Sequence, residues 1–169
     1  MSFLSRLFGK RDDQADVRPL WHRTVEIARE KPWYAECGVA DTVDGRFGMI
    51  TMVLALVLLR MEKEPALAEK SARLTELFIS DMDGQMRNAG VGDLVVGKRM
   101  GKLMGALGGR LGVLRDWQAG SGDLPALIAR NLTLREGAHP AAAAARLEDL
   151  SRQIMHSDSA DLLRGEFAR

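Results

Sequence analysis

The sequence has one cysteine, one tyrosine and three histidines, and its charges of opposite sign nearly cancel. Each scarcity removes a class of protein. With Cys37 alone, no intrachain disulfide can form and no cysteine-rich metal site exists, which fits a reducing compartment. The 24 Lys and Arg against 23 Asp and Glu leave none of the basic excess that a polyanion binder displays, so no DNA partner is expected. Aromatic residues are 5% of the chain and hydrophobic residues 46%, so aliphatic and methionine side chains must do most of the packing. Apolar runs are short as well. The start, Met1 to Phe8, offers only apolar pairs, not the ~7–15 unbroken residues of a secretory signal. The longest stretch, Phe47 to Leu59, is interrupted only by Gly48 and Thr51. As a helix at ~1.5 Å per residue it reaches roughly 20 Å, short of a bilayer core of about 30 Å. Bounded by Arg46 and Arg60, it reads as a buried helix of a soluble domain.

Catalytic signatures are also missing. His22, His139 and His156 are scattered, with neither an HExxH pattern nor paired ligand spacing. No Walker loop or Gly-x-Ser-x-Gly elbow occurs, and Gly90-Val91-Gly92 lacks the third glycine and preceding strand of a dinucleotide fingerprint. Asp41-Thr42-Val43-Asp44-Gly45 begins like a calcium loop but lacks the further Asp/Asn spacing and the late Glu. No enzyme activity, metal or cofactor is expected.

At 169 residues the chain is long enough to bury one real core. Residues 1–16 read as a flexible amphipathic segment. Phe3, Leu4, Leu7 and Phe8 share a helical face beside Arg6, Lys10 and Arg11, a pattern suited to weak contact of residues 1–11 with an anionic membrane surface. Residues 17–169 read as one helical domain. Pro19 suits the first turn of a helix ending before Pro32, and Trp33 to Asp44 reads as a connector. Long helices are expected over about 42–62, 65–88 and 93–118, with Asp93 as an N-cap and glycines at 90, 92, 120 and 122 as stops. A shorter helix follows Asp123 to about Leu134, and a last strong one starts at Pro140. No period-two alternation is long enough for a sheet. The class is all-α, a single-domain irregular bundle of about six helices.

Three features call for explanation. On a helix through 67–78, Leu67, Leu74, Leu77 and Phe78 form one stripe, and Asp81 falls near its middle while Asp83 points away toward Arg87. Asp81 is therefore expected to be buried and bonded to an arginine, Arg46 first and Arg110 second, or else to lie at a contact surface. Gly97, Gly101, Gly105 and Gly109 recur every fourth residue beside the seam Val96, Met100, Leu103, Leu107, Leu111 and Leu114. Each glycine inside a helix costs roughly 0.8–1 kcal/mol relative to alanine, so a close approach must justify them. The favoured partner is the domain's own 47–59 helix; the alternative is an open groove for a foreign helix. The pairs Met82/Met86 and Met100/Met104 are read as core fillers or as an adaptable apolar surface.

The blocks Trp33-Tyr34, Gly38-Val39-x-Asp41-Thr42-x-Asp44-Gly45-Arg46-Phe47, Leu58-Leu59-Arg60-Met61 and Asp81-Met82-Asp83-x-x-Met86-Arg87-x-x-Gly90-Val91-Gly92-Asp93 stand in that order. With Val96-Gly97-Lys98 and Gly109-Arg110, they resemble the ubiquinol–cytochrome c chaperone family over about residues 33–118. Where the family usually has an aromatic pair before Gly109, this chain has Leu107-Gly108. The resemblance implies an all-helical, non-enzymatic assembly factor in the respiratory chain, of a bacterial type. Its implied client is cytochrome b of ubiquinol–cytochrome c reductase (complex III), with the ribosomal exit region as a further contact. Its implied location is the cytoplasm, peripheral to the inner membrane. The matching positions Tyr34, Asp41, Asp44, Arg46, Asp81, Arg87, Asp93 and Lys98 are expected to be structural or client-contacting, with Met82, Met86, Gly101, Gly105 and Gly109 beside them. The rival readings are a helical carrier of haem or lipid and an unrecognised enzyme.

Overall fold

The computed structural model describes residues 14–88 and 90–168; the amphipathic stretch expected to meet a membrane, residues 1–11, lies outside them. Eight α-helices occur among the described residues: α1 Arg18–Ala28, α2 Lys31–Ala35, α3 Val43–Glu62, α4 Ala68–Asn88, α5 Asp93–Gln118, α6 Leu124–Asn131, α7 Ala141–His156 and α8 Ser159–Arg164. A 3-10 turn, Pro65–Leu67, leads into α4. The only β feature among them is an isolated antiparallel bridge between Val39 and Leu134.

Helix α3 is the axis of the fold. Every residue from Gly48 to Met61 is buried, so the helix has no solvent face to give away. A helix apolar all round must be enclosed, and here α1, α4, α5 and α7 enclose it, with α5 and α1 making the broadest contacts. Its start is set by Thr42, whose hydroxyl accepts a hydrogen bond from the Gly45 amide at 3.1 Å. Its end is anchored by Arg60, only 7% exposed. That guanidinium donates to the Ser157 carbonyl at 2.9 Å and to Ser159 Oγ at 3.1 Å, and it meets Glu64 at 2.7 Å. The C-terminal end of α3 is thereby tied to the α7–α8 junction.

The outer helices each supply one apolar face: Leu20, Trp21 and Ile27 from α1, Leu74, Leu77, Phe78 and Met82 from α4, Leu147, Leu150 and Ile154 from α7. Asp16 reaches Lys70 and Arg73 at 3.2 Å, so the turn of residues 14–17, where the sequence suggests a segment boundary, is held against α4.

Several expectations need adjusting. Helix α1 stops at Ala28, three residues before the expected end, with the break at Glu30; Pro32 lies in the first turn of a further short helix, α2, inside the expected connector. Asp93 is the first residue of α5 and not its cap, which is Gly92. The helix after Asp123 stops at Asn131, three residues early, because Leu132 turns extended and the Ala40 amide bonds to the Thr133 carbonyl at 2.9 Å.

Arg60 yields a prediction. Replacing it with alanine strands the Ser157 carbonyl and should lower stability by roughly 2–3 kcal/mol, read from urea unfolding midpoints. Glu64 is held below the usual carboxylate range, first by the Ser159 hydroxyl and then by Arg60. Its contribution is complete above the ordinary glutamate pKa, about 4.3, and is lost as pH falls through the lowered native value. Glu64→Gln should therefore show a smaller loss of stability between about pH 7 and about pH 3.5 than the unmodified chain.

Candidate functional site

The block Asp41 to Phe47 folds into the entrance of α3, and each of its residues has a physical task. Asp41 accepts a hydrogen bond from Arg46 Nε at 2.6 Å, which holds its carboxyl below the usual range. The Arg46 guanidinium lies 5.8 Å from the centre of the Tyr34 ring, within cation–π range. The Tyr34 hydroxyl donates to the Ala28 carbonyl at 2.7 Å, and burial pushes its pKa up. Gly45 is required by close approach: a Cβ there would overlap the Ala40 carbonyl oxygen. Tyr34, Asp41 and Arg46 thus fix the turn into α3. Asp44 and Val43 are left facing solvent, Val43 68% exposed.

The second block staples α4 to α5. Arg87 donates to Asp83 at 2.7 Å and to Asp93 across the Gly90-Val91-Gly92 turn, and both carboxylates hold its pKa up. Met82 is fully buried and Met86 nearly so, at 0% and 6% exposure, as core-filling methionines should be.

Asp81 departs from expectation. It is half-buried and bonds to no arginine: Trp21 Nε1 donates to it at 3.1 Å and Gln85 Nε2 at 3.2 Å. Trp21 itself packs edge-on against Phe78, 5.9 Å between ring centres. The two expected partners are engaged elsewhere, Arg46 with Asp41 and Arg110 with Thr51 and the Asn131 carbonyl. The helical phase of Asp81 was legible; its partner, sixty residues away in sequence, was not.

The glycine ridge is also corrected. Gly97, Gly101, Gly105 and Gly109 are exposed, and so is Gly108. Among the described residues, a Cβ added at any of them meets nothing within 4 Å beyond the helix's own backbone. Helix α5 packs inward through Val96, Leu107 and Leu114, with Met100, Leu103, Met104 and Leu111 partly buried beside them. A four-residue spacing advances 40° per step, so the glycines drift onto the side away from α3. The ridge is open, not internal. At its N-terminal end Leu94 is 94% exposed and Val95 47%.

Along the flank of α5, between it and the start of α3, runs a groove of about 670 Å³. Phe47, Met86, Leu103 and Ala106 give it an apolar lining, and Val43, Asp44, Arg99, Lys102 and Arg110 line the rest with Gly48 and Thr133. Gly48 lies beneath Leu132 and Arg110: a Cβ there would press on Leu132 Cδ2 at 3.2 Å and only touch Arg110 Nη2 at 3.8 Å. Of this lining, sequence reading marked Asp44 and Met86 as site residues, and Phe47, Leu103 and Arg110 in other roles, but gave no site role to Gly48, Arg99, Lys102 or Ala106. The i, i+3, i+4, i+7 spacing of 99, 102, 103 and 106 was the available signal. Lys98, on the neighbouring side of α5, is exposed.

The family model of the ubiquinol-cytochrome C chaperone matches residues 35–167. The chain belongs to that family. The match takes in α3 through α8, hence both sides of the groove and the whole glycine face. The crystal structure of the Cbp3 homolog from Brucella abortus is similar to it, with a TM-score of 0.72 and 29% identity over 98% of this chain and 96% of that one. A search of curated proteins finds no match. Among the described residues no helix is long and apolar enough to cross a membrane.

Two substitutions test the local readings. Asp81→Ala leaves the buried Trp21 N–H without its acceptor and should cost about 1–3 kcal/mol, whereas Asp83→Ala should stay within roughly 0.5 kcal/mol. Equal urea midpoints for the two would overturn the assignment. Gly45→Ala should destabilise more than an ordinary surface change, because the Ala40 carbonyl must move to admit a methyl group; circular dichroism melts would show it.

Proposed function

We propose that this chaperone holds the cytochrome b subunit of ubiquinol–cytochrome c reductase during assembly, from the cytoplasmic side of the inner membrane. The observation that carries the reading is the bare outer face of α5. Six glycines lie in this one helix, Gly97, Gly101, Gly105, Gly108, Gly109 and Gly112. At roughly 0.8–1 kcal/mol each relative to alanine, they weaken the helix by about 5–6 kcal/mol. No contact among the described residues compensates, since they leave the space above each glycine empty. Small residues at this spacing let another helix approach backbone to backbone, the packing used between membrane helices. A cytochrome b subunit is built of such helices. The groove beside the ridge and exposed Leu94 extend the same surface toward an apolar partner. In this reading Lys98, Asp44 and the glycines contact the client, while Tyr34, Asp41, Arg46, Asp81, Arg87 and Asp93 shape the surface that does so. A ribosomal contact near the exit region and a membrane contact through residues 1–11 belong to the same proposal.

Gly101→Leu separates folding from function. It removes a poor helix former from an unobstructed position, so the variant should fold at least as well and melt no lower than the unmodified chain. Its isobutyl group should hold a client helix off the ridge. Crosslinking in native membranes followed by mass spectrometry should recover cytochrome b with the unmodified chain and markedly less with Gly101→Leu. Equal recovery would remove the ridge from client binding, and a bound haem or lipid in place of a protein would favour a carrier.

A further inference from the structure

The α3–α5 groove gathers three cations against a single carboxylate. Arg23, Arg46, Arg60, Arg87, Arg115, Arg146, Arg152 and Arg164 all meet carboxylates. Arg99, Lys102 and Arg110 meet none among the described residues, although all three line one groove. Asp44 is the one carboxylate in the lining. Arg110 is the extreme case. Its terminal nitrogens donate to two neutral acceptors, Thr51 Oγ and the Asn131 carbonyl, while its buried Nε has no acceptor. Burial alone pulls its pKa down. A partly desolvated cation without a counter-ion is costly, whereas the buried Arg60 is paired with Glu64.

The surroundings narrow the missing anion. The groove is apolar along Phe47, Met86, Leu103 and Ala106, and its cations sit at i, i+3 and i+11 of a single helix, so they track a segment lying along α5. A free small anion would leave the apolar lining exposed. An uncharged apolar helix would bury Arg110 further without pairing it, which adds to the desolvation cost. An apolar helix with a carboxylate on its contact face satisfies both requirements.

We propose that the α3–α5 groove receives an apolar helical segment of the client that carries a carboxylate, and that Arg110, with Lys102 and Arg99, selects for that carboxylate. The inference rests on the chaperone reading and deepens it by naming the chemistry of the bound segment. Lys102 and Arg99 draw the acid in from the rim, and Arg110 completes its pairing at the floor. The attraction weakens as salt rises, most of all at the exposed rim.

The test uses the full chain and fluorescently labelled leucine-rich helical peptides identical but for one central Glu, Gln or Lys. Anisotropy titrations should show the Glu peptide binding about tenfold tighter than the Gln peptide, with the Lys peptide weakest. The preference should vanish in R99E/K102E, whose substituted positions are exposed and whose fold is checked by its melt. It should also shrink in R110Q. Equal affinities for Glu and Gln peptides overturn the proposal. So does a flat peptide series with binding to mixed phosphatidylglycerol–phosphatidylcholine vesicles that R99E/K102E abolishes, which would make the groove a lipid-headgroup site. A flat series alongside normal recovery of cytochrome b from membranes would remove the carboxylate selectivity and leave the chaperone reading standing. A clear Glu preference without cytochrome b recovery would do the reverse.

Discussion

Helix α3 has no polar side, and the rest of the structure answers to that constraint. Fully burying a Val, Leu, Ile or Met side chain is worth about 1.5–3 kcal/mol, so a run buried from Gly48 to Met61 supplies much of the driving force in one element. It also removes any choice about topology. An apolar rod must be covered on every side, and a chain of amphipathic helices with one apolar face each can cover it only by wrapping around it. The Thr42 cap and the Arg60 anchor therefore bear on more than local order. They set where the rod begins and ends, and so which turns of α1, α5 and α7 lie against it.

Arg60, buried, and Arg110, half-buried, sit at this rod, and the contrast between them separates scaffold from site. Arg60 leaves α3 and finds a carbonyl, a hydroxyl and the carboxylate of Glu64 within hydrogen-bond reach. Arg110 arrives from α5, crosses at Gly48 and finds a hydroxyl and a carbonyl but no anion. The first arrangement is complete within the chain. The second pairs its terminal nitrogens with neutral acceptors alone among the described residues, and its buried Nε has none. Incomplete pairing of a desolvated charge is a poor way to stabilise a monomer and a good way to discriminate among partners.

The sequence carried the helices well, because their limits are chemical and local. Pro19, Pro65, Thr42 and the glycines after 88 and 118 mark starts and stops through dihedral preference and capping, and each falls within a residue or three of the observed bound. The turn of helix at Lys31–Ala35 escaped because five residues are too few to show a period. The candidate site was half legible. The Asp41–Phe47 block stood out, yet the reason for Gly45 is the Ala40 carbonyl, a contact visible only once the turn is closed. Asp81 shows the same limit: periodicity gave it a direction, but whether Trp21, Arg46 or Arg110 waited there is long-range information. The glycine ridge failed for a different reason. Its first glycine borders the leucine seam, and the 40° advance of each step, which carries the others to the far side, was present in the spacing but not used.

On the proposed reading, that far side has a logic of its own for a chaperone whose client presents apolar helices. A leucine-lined face would bind such helices through buried area, but when empty it would expose a large apolar patch and invite self-association. A glycine face presents almost no apolar side-chain area to water. Its affinity comes from close backbone approach, which yields dispersion contacts and weak Cα–H···O bonds only when a helix of matching shape is present. The cost falls on α5, whose helical propensity is lowered along its exposed side. That cost is bearable because Leu107 and Leu114 hold the opposite side in the core around α3. The same constraint that forces every helix to cover the central rod thus frees the back of one of them to be almost bare.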